Sequence, residues 1–218
     1  MLSGTAQLGP TKQGTVFKLT PPVPPSTNWT EAVIYEFPSN GYLGTWDAGK
    51  LLWTGGGDLY AASEDSGVDS ERSGGGDGTV FRLVPPETTG ADWTGQLLHV
   101  FDAPHGQAGD GTHPESPLLR RRAVFYGTTA TGGAGGCDAG TAYQLSRPAT
   151  QGHGWAENVF SFPCDGSLGT GPTGPLFQDA SGTIYGAAEK GGASGQGAIF
   201  ALTPPSLQGG SWTGSVSV

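Results

Sequence analysis

Charge is scarce in this chain. Only 13% of its 218 residues are charged, and 19 Asp and Glu against 10 Lys and Arg leave a net charge of -9. An acidic surface repels a phosphate backbone, which argues against nucleic acid as a partner. No apolar run approaches the roughly 18 residues of a membrane-spanning helix, so no membrane span is expected. The opening Met1-Leu2-Ser3-Gly4 lacks the basic and apolar regions of a signal peptide. A mature exported protein and a cytosolic protein both fit such a start. Cysteine is nearly absent: Cys137 and Cys164 permit one disulfide. There is no Gly-x-Ser-x-Gly elbow for a nucleophilic serine, no EF-hand spacing, and no His-x-x-x-His helix for a metal.

What the chain has in abundance is glycine, 40 residues, with 17 prolines and 10% aromatics. These residues are periodic. Gly14-Thr15-Val16-Phe17-Lys18-Leu19 returns from Gly78 to Leu83, from Gly140 to Leu145 and from Gly197 to Leu202. A tryptophan follows each copy by 15 residues, at Trp29, Trp93, Trp155 and Trp212, so the period is 64, then 62, then 57 residues. Units of this size bury their apolar faces against one another.

Within the third repeat, residues 155–162 alternate as a half-buried strand. Residues 175–178, 183–186 and 198–202 read as three more, before Pro204-Pro205 ends the pairing. Nothing reads as a long helix. Four antiparallel strands per unit is the composition of a β-propeller blade, with a β-solenoid or a sandwich as alternatives. The expected fold is all-β, one repeat domain with units at about 29–86, 93–148 and 155–205. Residues 1–22 and 212–218 would share a fourth, split blade and close a ring. Phe17, Phe81, Tyr143 and Phe200 should be equivalent and buried.

These motifs resemble a known family. Gly14-Thr15-Val16-Phe17-Lys18-Leu19-Thr20-Pro21, with Phe125-Tyr126-Gly127-Thr128-Thr129 and Gly132-Gly133, is similar to the GloVer-type tandem repeat of Gloeobacter and Verrucomicrobia. Leu2-Ser3-Gly4-Thr5 departs from it by lacking the tyrosine, and Ala61-Ala62 stands in place of Gly-Thr. The resemblance implies an exported, extracellular or periplasmic bacterial protein with a propeller-like fold. It brings little settled function.

The long Gly-rich loops after the first and third strand of each unit should leave on one face, where binding groups usually sit. One loop holds Asp102, His105, Asp110, His113 and Glu115 in 14 residues, and Asp165 stands at an equivalent place in the next unit. Asp102, Asp110 and Asp165 are the expected oxygen ligands of a Ca²⁺ ion, which takes six to eight hard oxygens. Turn chemistry is the plainer reading of any one Asp-Gly pair, since Asp and Gly both tolerate positive φ. His105 and His113 are the candidate bases. His99, inside a strand, reads as structural. Cys137 and Cys164 lie in loops expected on one face of adjacent blades, so a disulfide between them is expected. Tyr42 and Trp46 fall outside the repeat pattern and are the candidates to stack on a sugar or grip an acyl chain.

Three functions compete on these residues. One is a metal-assisted hydrolase of small esters or lactones, of the acyl-homoserine-lactone type, with Ca²⁺ polarising the carbonyl. The second is an exported glycan- or surface-binding module using Tyr42 and Trp46. The third is a structural repeat. The Asp/His loop, which has no evident structural need, favours the hydrolase. The incomplete split blade leaves room for an oligomer.

Overall fold

A computed structural model describes residues 2–6, 14–41, 43–44, 50–65, 77–88, 90–101, 109–147, 154–206 and 209–217. The described residues contain strands and turns and no helix. Sheet I has β1 (Leu2–Ala6), β2 (Thr15–Thr20) and β3 (Thr30–Glu36). Sheet II has β4 (Leu52–Trp53), β5 (Leu59–Ser63), β6 (Thr79–Val84) and β7 (Thr94–Val100). β8 (Gly111–Thr112) and β11 (Thr131–Gly132) form a two-residue ribbon. Sheet III has β9 (Leu119–Arg121), β10 (Val124–Thr129), β12 (Thr141–Ser146) and β13 (Ala156–Ser161). Sheet IV has β14 (Thr170–Pro172) and β15 (Phe177–Gln178), both on β16 (Ile184–Lys190), then β17 (Ala198–Thr203) and β18 (Thr213–Ser217). The named strands pair antiparallel throughout.

The sheets are offset from the sequence repeats by one strand, which corrects the expected grouping. The strand after each tryptophan pairs backwards: β3 on β2, β7 on β6, β13 on β12 and β18 on β17. Pro-Pro does end the preceding strand in three of the four repeats, but the chain then turns straight back on itself. Thr203 lies opposite Thr213 across that turn, and Thr20 opposite Thr30. β18 therefore completes sheet IV and does not join β1 and β2, which lie in sheet I.

Each sheet packs face to face on the next through an apolar layer. Between I and II lie Val16, Phe37, Leu43, Leu59, Phe81 and Leu83. Between II and III lie Tyr60, Val80, Phe101, Phe125, Tyr143 and Leu145. Between III and IV lie Ala142, Phe162, Leu168, Ala188, Phe200 and Leu202. The repeated motif builds this layer. Phe17, Phe81, Tyr143 and Phe200 stand opposite Gly4, Ala61, Gly127 and Gly186. The ring lies across its small partner, so a Cβ built on Gly4 would stand 2.8 Å from Phe17 Cζ. That is why a glycine or alanine recurs one strand before each aromatic, after a tyrosine in Tyr60-Ala61, Tyr126-Gly127 and Tyr185-Gly186 and after Ser3 in the first copy. Phe81, Tyr143 and Phe200 are fully buried, whereas Phe17 is half-buried, because sheet I has no sheet on its other side among the described residues.

Cys137 and Cys164 form a disulfide with Cα atoms 5.6 Å apart. Both loops leave sheet III, Cys137 just before β12 and Cys164 just after β13. The bond thus ties two loops of one sheet beside the III–IV seam, and the two blades it was expected to bridge are one.

Candidate metal centre

The repeat register makes it possible to compare the three interfaces residue by residue. Tyr35, His99 and Phe160 occupy one position, opposite Val16, Val80 and Ala142. Gly95, Glu157 and Gly214 occupy a second, opposite Leu83, Leu145 and Leu202. Leu43, Asp110 and Leu168 occupy a third, each before a glycine whose missing side chain would strike the strand-end pair Ser63/Thr79, Thr129/Thr141 or Ala188/Ala198.

At two of the interfaces these positions make a plug of a leucine and an aromatic ring over a glycine. Between I and II, Leu43 and the Tyr35 ring close over Gly95. Between III and IV, a Cβ on Gly214 would meet Leu168 Cδ1 at 2.9 Å and Phe160 Cζ at 3.0 Å. Between II and III every member is replaced by a polar one. Glu157 stands for the glycine, His99 for the aromatic ring and Asp110 for the leucine. Tyr143 adds a hydroxyl where the other sheets carry Phe17, Phe81 or Phe200. These polar residues meet at one place; at the register of Glu157 the first copy also carries a glutamate, Glu31, which is exposed on β3.

Each group is firmly positioned. His99 is fixed by its place in β7, and its ring stands edge-on to Phe101 at 4.7 Å. Phe101 in turn contacts the Tyr143 ring at 5.0 Å. Glu157 is held by the β12–β13 ladder. Asp110 is set by the β8–β11 ribbon: its carbonyl accepts from Gly133 N at 2.8 Å, and its Oδ1 accepts from Gly111 N at 2.8 Å.

The result is a cluster in which one ligand atom each of His99, Asp110 and Glu157 lies within 4.8 Å of the others. His99 Nε2 and Glu157 Oε1 are 3.4 Å apart. Neither makes a hydrogen bond, and the fully buried Tyr143 hydroxyl also has no partner. Buried polar atoms are nearly always satisfied, so three orphans together call for an explanation. The pair approaches as an ion pair would, yet burial disfavours both charges. Burial lowers the His99 imidazole to about 4. It raises the Glu157 carboxyl to about 8, with the nearby Asp110 charge adding to the rise. Burial, then the Glu157 charge, pushes the Tyr143 phenol up.

Tyr143→Phe restores the residue of the other three sheets and removes an unpaired hydroxyl. It is expected to stabilise the metal-free protein by about 1–3 kcal/mol, the usual penalty of a buried unsatisfied group. Urea unfolding measures this, and a net loss of stability would show that the hydroxyl has a partner in solution.

Of the residues singled out in the sequence, only Asp110 belongs to this cluster. Asp165 is exposed and accepts from Ser167 N at 2.9 Å in its own turn, which lowers its pKa. His113 has a positive φ of 58°, and its Nδ1 lies 3.1 Å from Thr131 Oγ1 and 3.2 Å from Thr112 Oγ1. Tyr42, Trp46, Asp102 and His105 lie outside the described residues. A separate polar cleft of about 300 Å³ is lined by Glu115, Thr131, Asp138, Thr173, Glu189 and Lys190, with no aromatic platform among its lining residues. His99, read as structural from its strand, lies in this cluster, and Glu157 carried no local motif. The contrast that reveals both lies in the neighbouring interfaces, where Tyr35 and Phe160 stand at the register of His99, and Gly95 and Gly214 at that of Glu157.

These features define the class, an all-β tandem-repeat protein whose successive sheets share one recurring interface. The Gloeobacter/Verrucomicrobia repeat matches residues 1–214, and the chain belongs to that family. No curated protein and no solved structure matches it.

Proposed function

We propose that this protein is an exported, propeller-like repeat scaffold that holds a divalent metal ion of the zinc class between its second and third sheets. The ligands are His99 Nε2 and carboxylate oxygens of Asp110 and Glu157. The observation that carries the reading is the convergence of unpartnered buried polar atoms where the other two interfaces carry a leucine, an aromatic ring and a glycine. Ligands about 2.1 Å from a tetrahedral ion stand about 3.4 Å apart, which matches the His99–Glu157 spacing. An imidazole beside two carboxylates suits zinc or its first-row neighbours. Calcium, the ion expected from the acidic loops, takes all-oxygen shells. The ion would draw the protons off Glu157 and satisfy His99, pinning sheet II to sheet III.

Radial order is supported by four meandering sheets joined through one repeated interface, the build of propeller blades. Export is supported by the Cys137–Cys164 bond, since disulfides persist in oxidising compartments. No helix among the described residues is long and apolar enough to cross a membrane.

Metal analysis and zinc titration by calorimetry after EDTA treatment test the site. One equivalent of zinc is expected to bind and, at 100 times its Kd, to raise stability by about 2.7 kcal/mol. The variant His99→Phe/Asp110→Leu/Glu157→Gly rebuilds such a plug. It should fold without metal and gain nothing from zinc. A wild-type protein that gains no more from zinc than this variant would overturn the site.

A second reading, hydrolysis of an ester or lactone, is favoured by the count of three protein ligands, which leaves a fourth position for water or a carbonyl. An ester and lactone panel, with zinc and with EDTA, tests it. Turnover that survives EDTA removes it.

A further inference from the structure

Sheet IV ends in a face that the rest of the molecule teaches how to cover. In sheet II, Leu52, Tyr60, Ala62 and Val80 form the surface on which sheet III is seated, and the last three are almost completely buried. The register places Phe177, Tyr185, Ala187 and Ile199 of sheet IV at the same four positions. They have stayed apolar, yet Phe177 is 63% and Ile199 57% exposed. Large apolar residues grouped in the open mark an interaction surface.

Sheet I ends in the opposite half of the same joint. In sheets II, III and IV the face that meets the preceding sheet carries a fully buried Phe81, Tyr143 or Phe200. Its equivalent in sheet I, Phe17, is only half-buried, and Val33 directly opposite on β3 is 50% exposed. A seat and its insert are therefore both open on one chain. The joint they would make is already made three times inside it, between I and II, II and III, and III and IV.

We propose that copies of this chain associate head to tail, the sheet I face of one seated on the sheet IV face of the next. The occupant is a second copy because the complementary surface is carried by the chain itself and repeats its own internal interface. The contact is heterologous, so it builds a closed ring or an open filament and not a twofold pair of like faces. The net charge of -9 opposes association, which salt should relieve.

The experiment is sedimentation velocity at concentrations up to about 100 μM, a hundredfold above a micromolar Kd, in about 150 mM and higher salt. The wild-type chain is expected to run as dimers or larger species. Ile199→Asp blocks the seat and Val33→Asp blocks the insert; both sites are exposed, so far-UV circular dichroism and melting should be unchanged. Each variant alone should run with at least tenfold weaker self-association, as a monomer. Mixed at equal amounts they should recover a one-to-one dimer, because each supplies the face the other lacks. A wild-type monomer throughout, or a mixture that stays monomeric, overturns the proposal. Neither substitution touches His99, Asp110 or Glu157, so zinc binding by the monomeric variants tests the metal site separately.

Discussion

Phe81→Ala should lower the free energy of unfolding by about 3–5 kcal/mol, the range for an aromatic removed from a packed core. Phe81 is fully buried between sheets I and II and meets the Phe37 ring edge-on at 5.4 Å. Its partners across the ladder are Ala61 on β5, too small to fill the space, and Leu97 on β7, which already packs against the same core. A cavity would remain, lined by Leu59, Leu83 and Val16. Urea or guanidinium unfolding followed by tryptophan fluorescence gives the number. Phe17→Ala is the internal comparison. That ring is half-buried and should cost clearly less, because part of its area is already in water. Equal losses at the two positions would mean that Phe17 is covered in solution. A loss below about 1 kcal/mol at Phe81 would mean that the I–II layer is not a packed core.

The second large effect belongs to the disulfide. Cys137 and Cys164 are 27 residues apart, and closing a loop of that length removes denatured-state entropy worth about 3–4 kcal/mol at 25 °C. The double substitution Cys137→Ser/Cys164→Ser should lose about that amount. Reduction of the wild type with dithiothreitol should lose a similar amount, and the two should agree. The loss is expected at the III–IV seam first, since Cys164 opens the segment that carries Leu168 into that interface. Hydrogen exchange should then show β17 and β18 losing protection before β5 and β6. A double variant as stable as the wild type would show that the loops are already pinned without the bond.

The all-β fold and the buried aromatics were legible because one motif states them repeatedly. Phe81, Tyr143 and Phe200 sit at the same distance from the same glycine, and identical sequence finds identical surroundings. Sheet membership was not legible. Pro85-Pro86 announces that β6 stops, but not that β7 folds back onto it, since that depends on a turn whose pairing lies outside any local pattern. The cysteine pairing was legible from the loops, while the sheet holding both loops was not. Asp110 was legible as a candidate ligand, but its neighbours His99 and Glu157 escaped because each looks ordinary alone. A glutamate in an alternating strand reads as solvated, and a histidine beside a phenylalanine reads as core. Glu157 stands out only among the closed interfaces, where Gly95 and Gly214 share its register; the fourth member, Glu31 on β3, is a glutamate too but is exposed.

The one-strand offset between sheets and repeats has a consequence for how such an array grows and shrinks. Every period hands its opening strand to the sheet before it, as overlapping tiles cover one another's joints. Cutting the chain at any tryptophan therefore strips a strand from the sheet upstream and leaves a bare edge there. Deleting one whole period is milder: it fuses the front of one sheet to the back of another, and both halves carry the same motif. A whole period is therefore the unit whose removal leaves matching surfaces, yet no single period forms a complete sheet by itself.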